Sequence, residues 1–174
     1  MAEIDYAAIE LLVLDVDGVL TDGRITLTPD GAEIKTFHVR DGAGMKYWKR
    51  VGKKLAIISG RGSQAVVLRA RELDVDVVCL NAKDKLPAFR DVLEQLNLKG
   101  QQAAVMGDDL TDLPIMRACG MAIAVADAPQ CVREAAACVT KLPGGAGCVR
   151  EVIELILQRA GLWRQIMARY TGGD

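Results

Sequence analysis

Apolar residues in this chain fall into short unbroken runs, separated by stretches where they recur every three or four positions. The runs at 11–14, 54–58, 75–80, 103–106 and 121–125 have strand length and end in polar or glycine-containing segments. Unbroken runs, unlike alternating ones, predict strands covered on both faces, as in a parallel sheet. Between them, Leu86, Phe89, Val92, Leu93 and Leu96 keep helical spacing, as do Val149, Val152, Ile153 and Ile156. The βαβα order predicts an α/β fold, a doubly wound, mostly parallel Rossmann-like sheet.

One segment departs from this rhythm. Residues 24–27 and 33–37 read as two short strands around Thr28-Pro29-Asp30-Gly31, where Pro and Gly suit a tight turn. A β-hairpin spanning about 23–38, inserted after the first strand, would overhang the strand ends. It reads either as a plain surface hairpin or as a flap or oligomer contact. Residues 162–174 continue as an amphipathic tail with Trp163 and Tyr170, read either as packing on its own subunit or as docking near a neighbour's site.

Length narrows the picture to one domain over 1–174, because 174 residues suffice for one core and leave no segment long enough for a separate cap. The chain is 51% hydrophobic, enough for a core without disulfides. With 22 basic and 23 acidic residues the net charge is −1, which gives no overall field for nucleic acid or an anionic membrane. No nucleic-acid or membrane partner is expected, and a small-molecule substrate fits better. The five cysteines form no CxxC pair and His38 is the sole histidine, so a zinc site is not expected. Free, mostly buried thiols, no basic-plus-apolar leader and no membrane-length run together predict a cytoplasmic protein.

In doubly wound sheets, ligands bind outside the carboxyl ends of the strands. The first run ends in Asp15 and Asp17, the second in Ser59, Gly60 and Arg61. The third leads to Lys83, Asp84 and Lys85, and the fourth to Gly107, Asp108, Asp109 and then Asp112. Several aspartates at adjacent strand ends repel one another and call for a cation. An all-oxygen donor set favours a hard ion, with magnesium usual beside phosphate. Asp109 also fits a helix N-cap, with Asp112 at the third helical position.

Asp15 is placed to attack phosphorus, with Asp17 two residues on handling the proton and Gly18 easing the turn between strand and loop. Hydrolysis of a phosphate monoester can require a rate enhancement of up to ~10²¹, roughly 29 kcal/mol, so nucleophile, acid/base, metal and cationic clamp must act together. Lys85 supplies the clamp, and Ser59 with the backbone around Gly60 supplies donors for phosphate oxygens. A phosphotransferase or mutase would need a cap to exclude water, for which no segment is long enough.

Asp15-Val16-Asp17-Gly18-Val19-Leu20-Thr21, Ser59, Lys85 and Gly107-Asp108-Asp109-Leu110-Thr111-Asp112 resemble, in order and spacing, the four motifs of the haloacid dehalogenase superfamily. The stretches 37–42, 58–61, 125–128 and 144–152 further resemble the 3-deoxy-D-manno-octulosonate 8-phosphate phosphatases. That resemblance implies a capless, magnesium-dependent homotetramer whose hairpin joins neighbouring subunits, working in lipopolysaccharide inner-core biosynthesis. It implies Asp15 as nucleophile and metal ligand, and Asp17 as acid/base and ligand through its backbone carbonyl. Asp108 would be the remaining ligand, with Asp109 and Asp112 behind it. Ser59 and Lys85 would hold phosphate. Substrate contacts would fall on Asp17, His38, Val39, Arg40, Asp41, Gly42, Lys46, Arg61, Arg69, Lys85 and Asp109. The pattern departs at His38 (asparagine expected), Asn81 (glycine expected) and Cys148 (alanine expected). Two other readings share the fold: a phosphatase for a nine-carbon sugar acid 9-phosphate, and a non-catalytic oligomerisation module.

Overall fold

The structure, a computed structural model, describes residues 4–172; residues 1–3, and residues 173–174 of the expected tail, lie outside it. The first apolar run forms β1 (Leu11–Leu14), with all four residues buried. β2 (Thr26–Leu27) and β3 (Glu33–Ile34) follow, then α1 (Val39–Arg50), β4 (Lys54–Ile58), α2 (Gln64–Glu72), β5 (Val77–Cys79) and α3 (Lys85–Gln95). The rest comprises β6 (Ala103–Gly107), α4 (Leu113–Met116), β7 (Met121–Ala124), α5 (Gln130–Ala135), β8 (Cys138–Val139), α6 (Cys148–Arg159) and α7 (Trp163–Thr171).

Among the described residues the main sheet has six strands in the order β5-β4-β1-β6-β7-β8, and each neighbouring pair is parallel. The expected doubly wound parallel sheet is therefore present. β1 lies at its centre, with Leu11 level with Lys54 on one side and Ala103 on the other. The chain winds outward from β1 through β4 and β5, then returns to the opposite side for β6, β7 and β8. That reversal opens a crevice at the carboxyl end of β1, where the connections diverge.

β5 is shorter than the run at 75–80. Val75 and Asp76 form its approach, and Asp76 accepts hydrogen bonds from Leu55 N–H at 2.9 Å and Lys49 Nζ at 2.7 Å. β8 has two residues, too few for any periodicity to register. α1 escaped the helical pattern because its packing face carries Gly42 and Gly44 beside Met45 and Trp48. A Cβ on Gly44 would lie 2.9 Å from Arg150 Cδ, so its bareness lets α6 approach closely.

The hairpin strands pair antiparallel through Thr26 with Ile34 and Leu27 with Glu33, over a shorter span than 24–27 and 33–37. Gly31 closes the turn by donating to Thr28 O at 2.9 Å with φ +85°, a conformation that favours glycine. Ile25, Leu27 and Ile34 are more than half exposed. The tail folds onto its own chain: Tyr47 meets Trp163 and Tyr170 edge-on, each with centroids 6.0 Å apart. The Arg150 guanidinium lies 4.6 Å from the Tyr47 ring centre, which fixes the corner where α1, α6 and α7 meet. The five cysteines are free, but Cys148 alone is fully buried and Cys131 is exposed, so the expectation of mostly buried thiols is too strong.

Candidate active site

β1 delivers Asp15 into the crevice, anchored by its N–H donating to Met106 O at 3.2 Å. Beyond it the chain winds through residues 16–20 and closes when Thr21 N–H donates to Val16 O at 3.0 Å. Gly18 sits inside this turn at φ +97°, and a Cβ there would lie 2.1 Å from Asp108 Oδ2. Glycine is thus required twice, for the backbone conformation and for the approach of β6's aspartate.

Lys85 enters from the first turn of α3. Its ammonium is 3% exposed and donates to Asp15 Oδ1 at 2.7 Å and Asp112 Oδ1 at 2.6 Å. Asp112 is completely buried, and its other oxygen accepts from the N–H groups of Asp108 at 3.0 Å and Asp109 at 3.3 Å. Asp112 therefore ties the Asp108–Asp109 loop to Lys85. Asp109 caps the short turn that follows, accepting from Leu110 N–H at 2.7 Å. It also borders the pocket, so the cap and the site share one residue.

Oxygens of Asp15, Asp108 and Asp112 lie within 4.8 Å of one another. Three carboxylates face one ammonium, and the imbalance appears in their acidity. Burial raises Asp15 to about 6, partly opposed by Lys85. Asp108 rises to about 8, first from burial and then from the charges of Asp15 and Asp112. An all-oxygen group short of positive charge suits a hard divalent cation.

The surrounding cavity, about 380 Å³, is lined by Asp15, Asp17, Ser59, Arg61, Lys85, Asp108 and Asp109, together with Lys83 and Thr111. Seven of the expected site residues thus converge. Ser59 is buried, and its Oγ accepts from Arg61 N–H at 3.2 Å. Asp17 points toward the hairpin, where Lys35 Nζ donates to its Oδ1 and Arg61 Nε stands 3.6 Å from its Oδ2.

Residues 38–42, Lys46 and Arg69 do not line this cavity. Val39, Arg40 and Lys46 are exposed along α1. His38 turns toward the 142–147 loop, close to Gly147, with Nδ1 buried and unbonded. Asp41 is buried and accepts from Arg150 N–H at 2.7 Å, at the amino end of α6. Burial raises its pKa, opposed by those backbone donors. The guanidinium of Arg69 occupies the space beside Gly42, 2.3 Å from where a Cβ would be, and pairs with Glu72 at 2.8 Å. Within one chain these residues shape the α1–α2–α6 corner. Two residues that the motif pattern passed over, Glu33 and Lys35, reach the site instead. Their two-residue spacing on a strand, which puts both on one face, is the signal that could have found them.

A parallel sheet with an aspartate at the end of its central strand, a buried lysine and a second acidic loop defines the class of haloacid dehalogenase-like hydrolases, and the profile of that family matches residues 81–150. The 3-deoxy-D-manno-octulosonate 8-phosphate phosphatase of Haemophilus influenzae is 40% identical over 153 residues, 88% of this chain and 85% of the relative. The chain belongs to the 3-deoxy-D-manno-octulosonate 8-phosphate phosphatase family. A crystal structure of a probable YrbI family phosphatase from Pseudomonas syringae pv. phaseolica superposes with TM-score 0.94 at 44% identity, covering 97% of this chain and 96% of that one. The Moraxella catarrhalis 3-deoxy-D-manno-octulosonate 8-phosphate phosphatase, solved with magnesium, phosphate and 3-deoxy-D-manno-octulosonate (KDO), gives TM-score 0.92 at 38% identity, covering 95% of each chain.

Proposed function

We propose that this protein is a magnesium-dependent phosphatase that hydrolyses 3-deoxy-D-manno-octulosonate 8-phosphate to KDO and inorganic phosphate, for lipopolysaccharide inner-core biosynthesis. The observation that carries the chemistry is Asp15, held at the end of β1 by Lys85 beside the Asp108 carboxylate. The family relationship carries the substrate.

Asp15 and Asp108 would hold magnesium with the backbone carbonyl of Asp17, while Asp112 braces Lys85 and the Asp108 loop from behind. Magnesium held there would offset the crowded carboxylates and the charge on the phosphoryl oxygens. A carboxylate oxygen of Asp15 attacks phosphorus, and the bond from phosphorus to the sugar's C8 oxygen breaks. Asp17 gives its proton to the departing alkoxide. Asp17 then takes a proton from water, whose oxygen attacks the aspartyl-phosphate at phosphorus, and phosphate leaves with Asp15 restored. Lys85, Ser59 and backbone N–H groups balance charge on the transferred group. Arg61 is exposed at the cavity edge and suits a substrate carboxylate.

His38 to Gly42, Lys46 and Arg69 retain their proposed substrate role through a sugar path that reaches beyond the phosphate cavity. The exposed Ile25, Leu27 and Ile34 on the hairpin suit burial against neighbouring subunits of a cytoplasmic homotetramer. No helix among the described residues is long and apolar enough to cross a membrane.

Phosphate release from 3-deoxy-D-manno-octulosonate 8-phosphate and from a nine-carbon sugar acid 9-phosphate, each with and without magnesium, tests the assignment. The eight-carbon substrate should give the higher kcat/KM, and Asp15→Asn should abolish release while leaving the oligomer intact. A preference for the nine-carbon compound would reassign the substrate. Full activity in Asp15→Asn would remove the nucleophile.

A further inference from the structure

Lys35 is the most enclosed charged group on an otherwise exposed hairpin. Ile34 before it is about half exposed, yet the Lys35 side chain is 1% exposed. Its ammonium donates to Asp17 Oδ1 and, at 3.3 Å, to Glu33 Oε1. The same Glu33 oxygen accepts from Arg61 Nη2 at 2.9 Å, and Arg61 Nε stands 3.6 Å from the other oxygen of Asp17. Asp17, Lys35, Glu33 and Arg61 thus close a ring of alternating charge from three separate segments: the loop after β1, the hairpin and the loop after β4.

The ring is unequal in its two cations. Arg61 is about half exposed and lines the cavity, so it can turn toward an incoming anion. Lys35 has no such freedom. Enclosing a lysine stem forfeits rotamer entropy, and an enclosed ammonium also loses hydration. A hairpin lysine ordinarily keeps its head in water. Here the head is spent on two carboxylates, Asp17 and its anchor Glu33, and the loop of Asp17 offers that side chain no regular hydrogen-bond ladder. Proton transfer to a leaving oxygen needs that carboxylate within hydrogen-bond reach and correctly aimed.

We propose that Lys35 is a positioning residue: anchored by Glu33, it fixes the Asp17 carboxylate over the cavity, so the hairpin is part of the acid/base apparatus and not only an assembly element. The proposal rests on the acid/base role given to Asp17 above.

Leaving-group dependence separates positioning from general support of the fold. A sugar alkoxide needs a proton as it departs, whereas p-nitrophenolate departs without one. With magnesium saturating, Lys35→Met and Lys35→Gln should lower kcat on 3-deoxy-D-manno-octulosonate 8-phosphate by about 10²-fold, the lower end of acid/base contributions. The pre-steady-state burst of p-nitrophenolate, which reports attack by Asp15 without a proton from Asp17, should stay near wild type, while steady-state turnover of p-nitrophenyl phosphate slows with the water step that Asp17 also serves. Lys35→Arg should restore most of the lost sugar-phosphate rate. Asp17→Asn, run in parallel, should show the same split between a retained p-nitrophenolate burst and a lowered sugar-phosphate rate. Equal loss of the p-nitrophenolate burst and of the sugar-phosphate rate in the Lys35 variants, or loss of neither, overturns the positioning role while a split in Asp17→Asn leaves the acid/base reading standing. Absence of any split in Asp17→Asn overturns both.

Discussion

The Lys85 ammonium lies 2.7 Å from Asp15 Oδ1 and 2.6 Å from Asp112 Oδ1, so one buried cation serves two buried carboxylates. Their opposite charge also raises the lysine's own pKa against the effect of burial. This ammonium is the only basic side chain recorded in a salt bridge with Asp15 among the described residues. Lys85→Met should therefore lower kcat by about 10²–10³, the usual cost of deleting one preorganised donor. Steady-state phosphate release measures it, and a loss below tenfold would mean that the clamp lies elsewhere.

Metal binding should depend on pH in a direction set by the same cluster. Asp15 and Asp108 rise from the ordinary 3.8 to about 6 and about 8, so the metal-free fold holds protons that the unfolded chain releases. Their contribution to stability is full below about pH 3.8 and is lost as pH climbs through about 6 and then about 8. A cation must displace those protons. The rise in Tm on adding magnesium to chelator-treated protein should grow from pH 5 to about pH 8 and then level off. Apparent affinity should tighten by up to about tenfold per pH unit where one proton is displaced. A magnesium effect that shrinks over that range would contradict the placement of Asp108 in the metal site.

Gly18→Ala should be worse than a backbone substitution alone. The left-handed φ of +97° costs about 1–3 kcal/mol for a side-chain-bearing residue. The added methyl would also meet Asp108 Oδ2 at 2.1 Å, so the aspartate must move. The expected signature is a modest fall in metal-free Tm together with loss of the magnesium-induced rise. Differential scanning calorimetry with and without magnesium separates the two effects. Retention of the full magnesium shift would show that Asp108 binds metal from another position.

The parallel sheet and the convergence of residues on one cavity were legible in the sequence for one shared reason. Strands buried on both faces leave unbroken apolar runs, and in a switch-point fold the residue after each run is the one delivered to the crevice. Asp15, Ser59 and Asp108 follow directly from that rule, and Lys85 follows from the start of the next helix. The contact of Asp41 with the amino end of α6 was not legible, because its partner lies over a hundred residues away, which no local spacing records. Lys35 was passed over because a lysine on a surface hairpin looks solvated until the fold encloses it. β8 and α1 were obscured by brevity and by the glycines that permit close helix packing.

The tail offers a test between its two readings. Trp163 and Tyr170 both meet Tyr47 on the same chain, and Arg150 stacks between helices over Tyr47 and, at 5.7 Å, Trp163. If this corner serves the subunit's own fold, Trp163→Ala removes an aromatic pair and its partial burial, about 1–3 kcal/mol. For a chain of this size that lowers Tm by several degrees, at about 2–4 °C per kcal/mol. Hydrolysis of p-nitrophenyl phosphate below the new Tm should stay near wild type, because α7 contributes no residue to the cavity around Asp15. Docking into a neighbour's site predicts the reverse: unchanged Tm with a raised KM for the sugar phosphate. Measuring Tm and KM on the same variant therefore assigns the tail, with a fall in Tm at constant KM expected from the contacts around Tyr47.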